Sequence, residues 1–351
     1  MKLLLTIDFP PEYGGMQKYL AAIVKHTFAP GDRVLAGAAR SHHQWQFETG
    51  AVVEYVSTPL SLFNKKLSLI PLLIRAYCLA AGSPEVELEC GNIWAGCVGR
   101  LLSPATRRPY RVFTYATELV ALRRPGLKSL LLKQVLIGAH SIYVLGEYTR
   151  KLLLELGIDK PLHVCPPRLD TSEFPKVATR SADDNTIRLL CVGRLVKHKG
   201  HSLLIDALAK LPSDATISTI IAGEGPERKL LERQRSDLHL EDRLRLFGRL
   251  TNAQLTELYQ SSDIFVFPSL EAAQGAEGFG IVLLEAMYYR LPIIASRAGG
   301  IVEVVEGCAE LVLPGDADAL CDALLRVCRD PGLRRRMIEN GTRRLYERYV
   351  W

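Results

Sequence analysis

The 351 residues correspond to about two domains of ordinary size, and 48% of them are hydrophobic and 23% charged. This composition excludes an intrinsically disordered chain, a collagen-like chain and a coiled coil, because none of these combines so much apolar content with so little repetition. The net charge is +6, with an excess of seven positive charges in the first 178 residues and of one negative charge in the remainder.

A basic first half favours an anionic partner, either a phosphorylated acceptor or an anionic membrane surface. An ordinary solvated surface explains the same charge. The longest nearly apolar stretch, Leu67 to Ala81, contains Pro71 and Arg75 and is shorter than the ~20 residues that span a bilayer. Neither a transmembrane helix nor a signal peptide is expected. The eight cysteines form no Cys-x-x-Cys pair, which predicts reduced, mostly buried thiols in a cytosolic protein.

Short β-rich runs alternate with segments of helical periodicity, a pattern typical of a parallel α/β sheet. The first series of predicted strands comprises residues 2–7, 33–37, 52–56, 86–89, 111–115 and 141–145. The second comprises residues 187–192, 216–221, 243–247, 264–267, 293–295 and 310–313. Predicted helices include residues 17–28, 202–211, 253–260 and 281–289.

Two doubly wound, Rossmann-like domains explain this alternation better than one. We predict domains at 1–175 and 186–351, joined by a polar linker near 170–186 in which Asp183 and Asp184 are solvated. Because ligands bind outside the carboxyl ends of parallel strands, two such domains facing each other would form a central cleft. The basic helix predicted from Pro331 closes the second domain or crosses to the first, and its arginines are expected in solvent rather than on nucleic acid.

Two turns between a strand and a helix are candidate anion sites. Gly14 and Gly15 follow the first strand, where bare backbone amides and a helix N-terminus can approach a phosphate, although glycines in such a turn often serve loop geometry alone. In the second domain, Gly193, Arg194 and Lys199 follow the first strand, and the two cations can clamp a diphosphate. A solvated basic loop is the alternative there.

The most specific stretch runs from Ala276 to Met287 and contains two glutamates eight residues apart, Glu277 and Glu285. A Gly-x-Gly turn at Gly278 and Gly280 leaves amides bare at the start of a helix, so Glu277 can face a polar ligand beside them. Glu285 lies among apolar neighbours and needs a hydrogen-bonding partner if it is buried, which ribose hydroxyls would provide.

Together these motifs resemble the retaining glycosyltransferases of family 4 with the GT-B fold, and the resemblance covers almost the whole chain. The matching segments are Gly14-Gly15, Gly193-Arg194 through Lys199-Gly200, Gly223-Glu224-Gly225-Pro226, Gly248, Asp263 with Pro268-Ser269, Glu277 with Glu285, and Gly299-Gly300 with Glu303. Within the family, the opening segment from Asp8 to Leu20 and the longer loop from Ser269 to Glu277, with Gly275, are similar to phosphatidylinositol-mannoside mannosyltransferases.

The resemblance implies a nucleotide-sugar donor, either a UDP-sugar or a GDP-sugar, and no metal or other cofactor. Arg194 and Lys199 would bind its diphosphate, Glu277 the transferred sugar and Glu285 the ribose. Further donor contacts implied by the resemblance are those of Gly14, Gly15, Gly193, Arg249, Leu250, Gly278, Phe279, Gly280 and Ile281.

The chain departs from the family pattern at two places. Tyr115 stands where the family usually has a histidine, and a phenol can donate a hydrogen bond to a sugar hydroxyl but cannot carry the charge of an imidazolium. Glu118 is then a candidate polar partner for the sugar or the acceptor. The family's usual turn after the first domain is replaced by Pro166-Pro167-Arg168-Leu169-Asp170.

The sequence therefore predicts a retaining hexosyltransferase that acts on a glycan or lipid-linked acceptor in cell-envelope glycoconjugate synthesis. A GT-B epimerase and a non-catalytic sugar-nucleotide-binding protein are alternatives, because both would use the same pocket. A nicotinamide-dependent dehydrogenase is disfavoured, because Arg228 occupies the third glycine position of its fingerprint. Cations and leucines at helical spacing in residues 122–134 predict a cytoplasmic protein, peripheral on the inner face of the cytoplasmic membrane, and an ordinary amphipathic helix is the alternative.

Overall fold

The computed structural model describes residues 1–12, 14–37, 50–62, 64–83, 85–177, 186–212, 215–270 and 276–351. Within these residues the chain forms two compact units, Met1–Pro167 and Arg168–Trp351. Asp183, Asp184 and Gly275, which figure in the predictions above, lie outside the described residues.

The first unit is a seven-stranded parallel sheet with helices between its strands. The strand order is β3-β2-β1-β4-β5-β6-β7. The strands are β1 (Lys2–Thr6), β2 (Arg33–Gly37), β3 (Val52–Val56), β4 (Glu87–Cys90), β5 (Tyr110–Phe113), β6 (Ser141–Val144) and β7 (Leu162–Val164). The helices are α1 (Gly15–Thr27), α2 (Leu69–Ala81), α3 (Ile93–Thr106), α4 (Ala116–Leu122), α5 (Leu127–Gly138) and α6 (Glu147–Glu155).

The second unit is a six-stranded parallel sheet in the order β10-β9-β8-β11-β12-β13. Its strands are β8 (Ile187–Val192), β9 (Ile217–Ala222), β10 (Leu244–Phe247), β11 (Ile264–Phe267), β12 (Ile293–Ser296) and β13 (Ala309–Val312). Its helices are α7 (His201–Ala209), α8 (Arg228–Asp237), α9 (Asn252–Ser261), α10 (Ile281–Tyr288), α11 (Ile301–Val305), α12 (Ala317–Arg329) and α13 (Pro331–Arg348).

Both sheets confirm the predicted doubly wound architecture, since the strand order reverses after the first strand of each unit. The central strands are continuous apolar runs because helices cover both faces of a parallel sheet. Leu3, Leu4 and Leu5 of β1 are completely buried, as is the run from Ile264 to Val266 in β11. Sequence reasoning missed β7, because three residues beside prolines at 161 and 166 carry no readable periodicity.

The first unit ends at Pro167, eight residues before the end that we predicted for the first domain. The following residues belong to the second unit: Leu169 forms a parallel bridge with Val350, and the ring of Phe174 lies 5.2 Å from that of Tyr288. At the other end of this unit, α13 packs against α10 and α12. No helix among the described residues is long and apolar enough to cross a membrane.

Candidate active site

The second unit brings two loops together at the point where its strand order reverses. One loop follows β8 and carries Arg194 and Lys199, and the other follows β11 and ends at Glu277. Because β8 and β11 are neighbouring parallel strands, their carboxyl ends lie at the same edge of the sheet, which is where ligands bind in open α/β sheets.

Gly200 allows these two loops to approach each other closely. It has a φ of +68°, and a Cβ at this position would lie 1.9 Å from the carbonyl oxygen of Pro268. The amide of Leu270 also donates a 2.8 Å hydrogen bond to the carbonyl of His198. A residue with a side chain would force the loops apart, so the glycine is required for the site to form.

Lys199 and Glu277 meet as an ion pair across these loops. Their side chains are only 18% and 12% exposed, and the Lys199 ammonium lies 4.8 Å from the centroid of the Phe267 ring. Partial burial strengthens the attraction because water screens it less. The pair holds one cation and one carboxylate in fixed positions at the carboxyl end of the sheet.

Arg194 and two histidines surround this ion pair. Arg194 is exposed. Burial and the charge of Lys199 lower the pKa of His198. The charge of Glu277 raises this pKa and that of Arg194 lowers it, so all three charged side chains lie within electrostatic range of His198. His201 is 3% exposed, and burial together with the charges of Lys199 and His198 lowers its pKa to about 3. Both imidazoles are therefore neutral at pH 7.

Contacts with Gly300 and with Tyr349 hold the loop that carries Glu277 in place. The amide of Gly300 donates to the carbonyl of Glu277 at 2.9 Å, and a Cβ at Gly300 would lie 2.1 Å from the carbonyl oxygen of Gly278. Phe279 is buried and packs edge-to-face on Tyr349, with 5.4 Å between ring centroids. The backbone from 277 to 279 is thus held from two sides.

Helix α10 begins directly after this braced loop. Its N-cap residue Gly280 has a φ of +84° and offers no side-chain acceptor to the amides of the first turn, which starts at Ile281. Those amides and the helix dipole are suited to an anion. The segment around Gly278 and Gly280 therefore combines a fixed carboxylate at Glu277 with an anion-binding helix end.

Glu285 is buried, as predicted from its apolar neighbours, with 2% of its surface exposed. One of its partners within the protein is Tyr259, whose hydroxyl donates to Oε2 at 2.8 Å. The Tyr259 ring stacks on Tyr289 with 5.1 Å between centroids, and burial followed by the charge of Glu285 raises the pKa of the phenol. Sequence reasoning missed Tyr259, because a tyrosine on the preceding helix gives no signal of a contact 26 residues away.

The remaining candidate positions of the second unit frame the loop after β8. A Cβ at Gly223 would lie 1.9 Å from the carbonyl oxygen of Gly193, and one at Gly225 would lie 2.2 Å from that of Leu195. These glycines let the loop after β9 approach the backbone of the loop after β8 closely. This packing explains the Gly-x-Gly pattern after β9, so the pattern does not indicate a dinucleotide site. Arg249 is exposed and Leu250 half-buried, and both follow the end of β10.

In the first unit, Gly14 and Gly15 precede α1 as predicted. Gly14 is in extended backbone with a φ of 163°, so the turn does not need glycine for a left-handed conformation. Asp8, which sequence analysis did not select, lies at the centre of a polar cluster at this strand end. Its carboxylate accepts from Asn92 at 2.6 Å and pairs with Lys65 at 3.3 Å. The positions of Asp8 after β1 and Asn92 after β4 could have indicated this cluster, since these are neighbouring parallel strands.

Tyr115 and Glu118 lie beside this cluster, at the start of α4. The Tyr115 hydroxyl donates to the carbonyl of Gly91 at 3.0 Å and is buried, so the phenol has a partner within the protein. Burial and the charge of Asp8 raise the pKa of Glu118 to about 8, against the stabilising effect of amide hydrogen bonds at Ile93 and Tyr115. Its Oε2 atom is buried and has no hydrogen-bond partner among the described residues.

Within the described ranges, no three histidine, cysteine or acidic side chains come together as a potential metal site. The absence of a metal requirement stays a prediction. The structure thus gathers Arg194, Lys199, Glu277 and the start of α10 in the second unit, and Tyr115 and Glu118 in the first.

The chain is similar to known proteins in both sequence and fold. Residues 175–344 match the family described as Glycosyl transferases group 1. A GDP-mannose-dependent monoacylated alpha-(1-6)-phosphatidylinositol monomannoside mannosyltransferase of Corynebacterium glutamicum is 26% identical over 99% of this chain and 94% of its own length.

Two solved structures share the fold over the whole chain. One is Anabaena HepE in complex with UDP and glucose, with a TM-score of 0.79, 22% identity and coverage of 96% of that chain. The other is a sucrose-phosphate synthase of Thermosynechococcus elongatus, with a TM-score of 0.83, 22% identity and coverage of 95%. The match within the second unit and the relative that covers nearly the whole chain agree, and residues 175–344 form a group 1 glycosyltransferase domain. The two Rossmann-like sheets have the GT-B fold of the solved structures.

Proposed function

We propose that this glycosyltransferase transfers a hexose from a nucleoside-diphosphate sugar to a hydroxyl group of a glycan or lipid-linked acceptor, with retention of configuration at the anomeric carbon. The observation that carries the proposal is the ion pair of Lys199 and Glu277 beside the open N-terminus of α10. A cation and a helix end suit a leaving diphosphate, and a fixed carboxylate suits the hydroxyls of a sugar.

Departure of the diphosphate builds up negative charge on its oxygen atoms. In this proposal Lys199, Arg194 and the first-turn amides of α10 stabilise that charge, and no metal is required. Preorganised groups of this kind act without having to reorient during the reaction, and removal of one typically costs about 10²- to 10³-fold in rate. The acceptor attacks on the face from which the diphosphate leaves, and a donor phosphate oxygen takes its proton.

Glu277 would hold the transferred hexose and Glu285 the ribose of the donor. The Tyr259 hydroxyl donates to Oε2 of Glu285 at 2.8 Å. A carboxylate has several acceptor sites, so Glu285 can accept from ribose hydroxyls in addition to its contacts within the protein. In this arrangement Tyr259 orients the carboxylate before the donor arrives.

Mannose from GDP-mannose is the donor that we propose first, because the relative that covers nearly the whole chain is described as GDP-mannose-dependent. The same relative acts on a phosphatidylinositol mannoside, which supports a lipid-linked acceptor and a role in cell-envelope glycoconjugate synthesis. UDP-sugars are the alternative donors, since the HepE structure contains UDP and glucose.

We further propose that the first unit contacts an anionic surface at the inner face of the cytoplasmic membrane. Helix α3 packs against both α2 and α5, so the three helices form one layer. Each exposes large apolar side chains, which are Ile70, Ile74 and Tyr77 of α2, Leu101 of α3, and Leu127, Leu130 and Leu131 of α5. Exposed leucines among cations are typical of interfacial helices.

The reaction is tested by incubating the protein with GDP-mannose, UDP-glucose and ADP-glucose and measuring release of nucleoside diphosphate with and without a membrane lipid extract. Acceptor-dependent release supports transfer. Conversion of the nucleotide sugar without acceptor would indicate an epimerase, and binding without turnover a sensor protein. Lys199→Met should lower the rate of release by about 10²- to 10³-fold. Lys210→Met, which removes an exposed ion pair with Asp318, should leave it unchanged.

Membrane contact is tested separately by flotation with anionic liposomes. Replacing Leu127, Leu130 and Leu131 with serine should release the protein from the vesicles. The control is Leu154→Ser, which alters an exposed leucine of α6 outside the three-helix layer. If wild-type protein does not float at physiological salt, the membrane proposal is wrong.

A further inference from the structure

The first unit contains a pocket of about 300 Å³ between α3, α4 and α5. Its walls include Trp94, Glu118, Leu122, Lys128 and Ser129. This volume is at the lower end of the range for small-molecule sites. Sequence analysis named Glu118 as a candidate contact of the sugar or acceptor, and it placed Leu122, Lys128 and Ser129 in the predicted interfacial segment 122–134. None of the donor residues of the second unit lines this pocket.

Two ammonium groups lie over the indole ring of Trp94, one from Lys128 in the pocket wall and one from Lys66, which lies beside the pocket. The Nζ atom of Lys66 is 3.7 Å and that of Lys128 is 5.2 Å from the centroid of Trp94. Burial and the charge of Lys128 lower the pKa of Lys66, which is the physical sign of two cations held close together. Within the described part of the chain neither lysine forms an ion pair, although the charge of Glu118 acts on Lys66 from a longer distance and opposes the lowering of its pKa. A bound anion would relieve the repulsion between them.

Glu118 lines the same pocket as Trp94 and adds a carboxyl group to it. Its Oε2 atom is buried without a hydrogen-bond partner in the described ranges, although it lines a cavity that a ligand can enter. Burial first, and then the charge of Asp8, raises the pKa of this carboxyl to about 8. It is therefore largely protonated at pH 7 and can donate a hydrogen bond to a ligand oxygen as well as accept one.

We propose that this pocket binds a phosphate-bearing polyol, with the phosphate at the ammonium groups of Lys66 and Lys128 and a hydroxyl group at the carboxyl of Glu118. The ligand is the head group of the acceptor, and this part of the inference rests on the proposed function. The indole of Trp94 provides the flat apolar surface on which a polyol ring packs.

The surroundings of the pocket favour a lipid over a soluble sugar phosphate. Gly126 and Lys128 line the pocket, and the adjoining residues Leu127, Leu130 and Leu131 are exposed, with Leu127 73% exposed. A head group in the pocket would therefore leave its acyl chains beside an apolar surface. A soluble sugar phosphate has no part that would use these leucines.

The probe is myo-inositol 1-phosphate, titrated into the full-length protein by calorimetry, with myo-inositol as the phosphate-free comparison. We expect saturable binding that weakens about tenfold or more in Lys66→Met and in Lys128→Met, as loss of a hydrogen bond to a charged group predicts. Trp94→Leu and Glu118→Ala should weaken it as well. Lys151→Met is the matched control, since Lys151 is an exposed lysine of α6 outside the pocket, and should bind like wild type.

Equal binding of the probe in wild type, Lys66→Met and Lys128→Met would overturn the proposal, as would equal binding of myo-inositol and its phosphate. Vesicles with phosphatidylinositol should displace the probe, whereas phosphatidylcholine vesicles should not. Failure of the first to displace it would exclude a lipid head group as the ligand. GDP-mannose binding, measured on the same samples, reports on the second unit, so a failed donor site is distinguished from a failed pocket.

Discussion

Replacement of His201 should change how the stability of the second unit depends on pH. The imidazole is 3% exposed at the first residue of α7. Burial, followed by the positive charges of Lys199 and His198, lowers its pKa to about 3. The folded protein therefore keeps this side chain neutral at pH values where the unfolded chain protonates it.

The sign and the size follow from proton linkage. An unfolded histidine has a pKa of about 6.5, so between pH 6.5 and pH 3 the unfolded chain binds one proton more than the folded chain at this site. The stabilising contribution of the neutral imidazole is complete above pH 6.5 and is lost below it, by about 1.4 kcal/mol per pH unit. Between pH 7.5 and pH 5 the free energy of unfolding should fall by about 2 kcal/mol through His201.

The assay is urea unfolding of the full chain, followed by circular dichroism at both pH values, for wild type, His201→Gln and His201→Leu. The wild type should lose about 2 kcal/mol more than either variant on acidification. In a unit of this size that difference corresponds to about 4–8 °C in melting temperature. Two variants are used because each removes the titrating group with a different packing cost.

His140→Gln is the control, because His140 is exposed in the first unit. It should lose as much stability on acidification as the wild type does. If His201→Gln, His201→Leu and wild type all lose the same free energy between the two pH values, the imidazole is not held neutral by burial, and the reasoning fails.

Three further predictions concern the two sites. Lys199→Met should lower kcat by about 10²- to 10³-fold with folding intact by circular dichroism, and activity within threefold of wild type would contradict a role for its ammonium. Tyr259→Phe removes the 2.8 Å hydrogen bond to the buried carboxylate of Glu285 and should lower the free energy of unfolding in urea by about 1.5–3 kcal/mol. The control is Tyr289→Phe, which should cost only about 0.5–1.5 kcal/mol because the Tyr289 hydroxyl bonds to the neutral hydroxyl of Thr256. Glu118→Gln should become more stable than wild type as the pH rises from about 5 to 8. Burial raises the pKa of the Glu118 carboxyl in the folded protein, so the unfolded chain loses this proton at a lower pH and the wild-type protein loses stability over that interval. A difference in melting temperature between the two proteins that stays constant with pH would disprove this.

The glycine turns of both sheets and their strands other than β7 could be predicted from the sequence. Continuous apolar runs such as Leu3 to Leu5 occur where helices cover both faces of a parallel strand, so the local composition predicts that the strand is buried. Close contacts between distant segments of the chain could not be predicted in this way. Gly200 is recognisable as a turn residue, but its need for glycine comes from the carbonyl of Pro268, 68 residues further along the chain.

The candidate residues on the loop after β8 and at the start of α10 could likewise be named from the sequence, because their spacing follows strand ends and a helix start. Their partners could not. Tyr115 stays a predicted sugar contact, and nothing in the sequence indicated that its hydroxyl donates to the carbonyl of Gly91. The burial of Glu285 was expected, whereas the hydroxyl of Tyr259 that meets it was not.

The sequence by itself determined the doubly wound architecture, the resemblance to a glycosyltransferase family and the residue types of the donor site, because these depend on periodicity and on spacing within one loop or helix. Only the tertiary structure decided that Lys199 meets Glu277, that His201 is buried beside them, and that Lys66 and Lys128 share the ring of Trp94. Each of these depends on chain segments far apart in sequence, whose distance is set by the packing of strands and helices and leaves no local pattern.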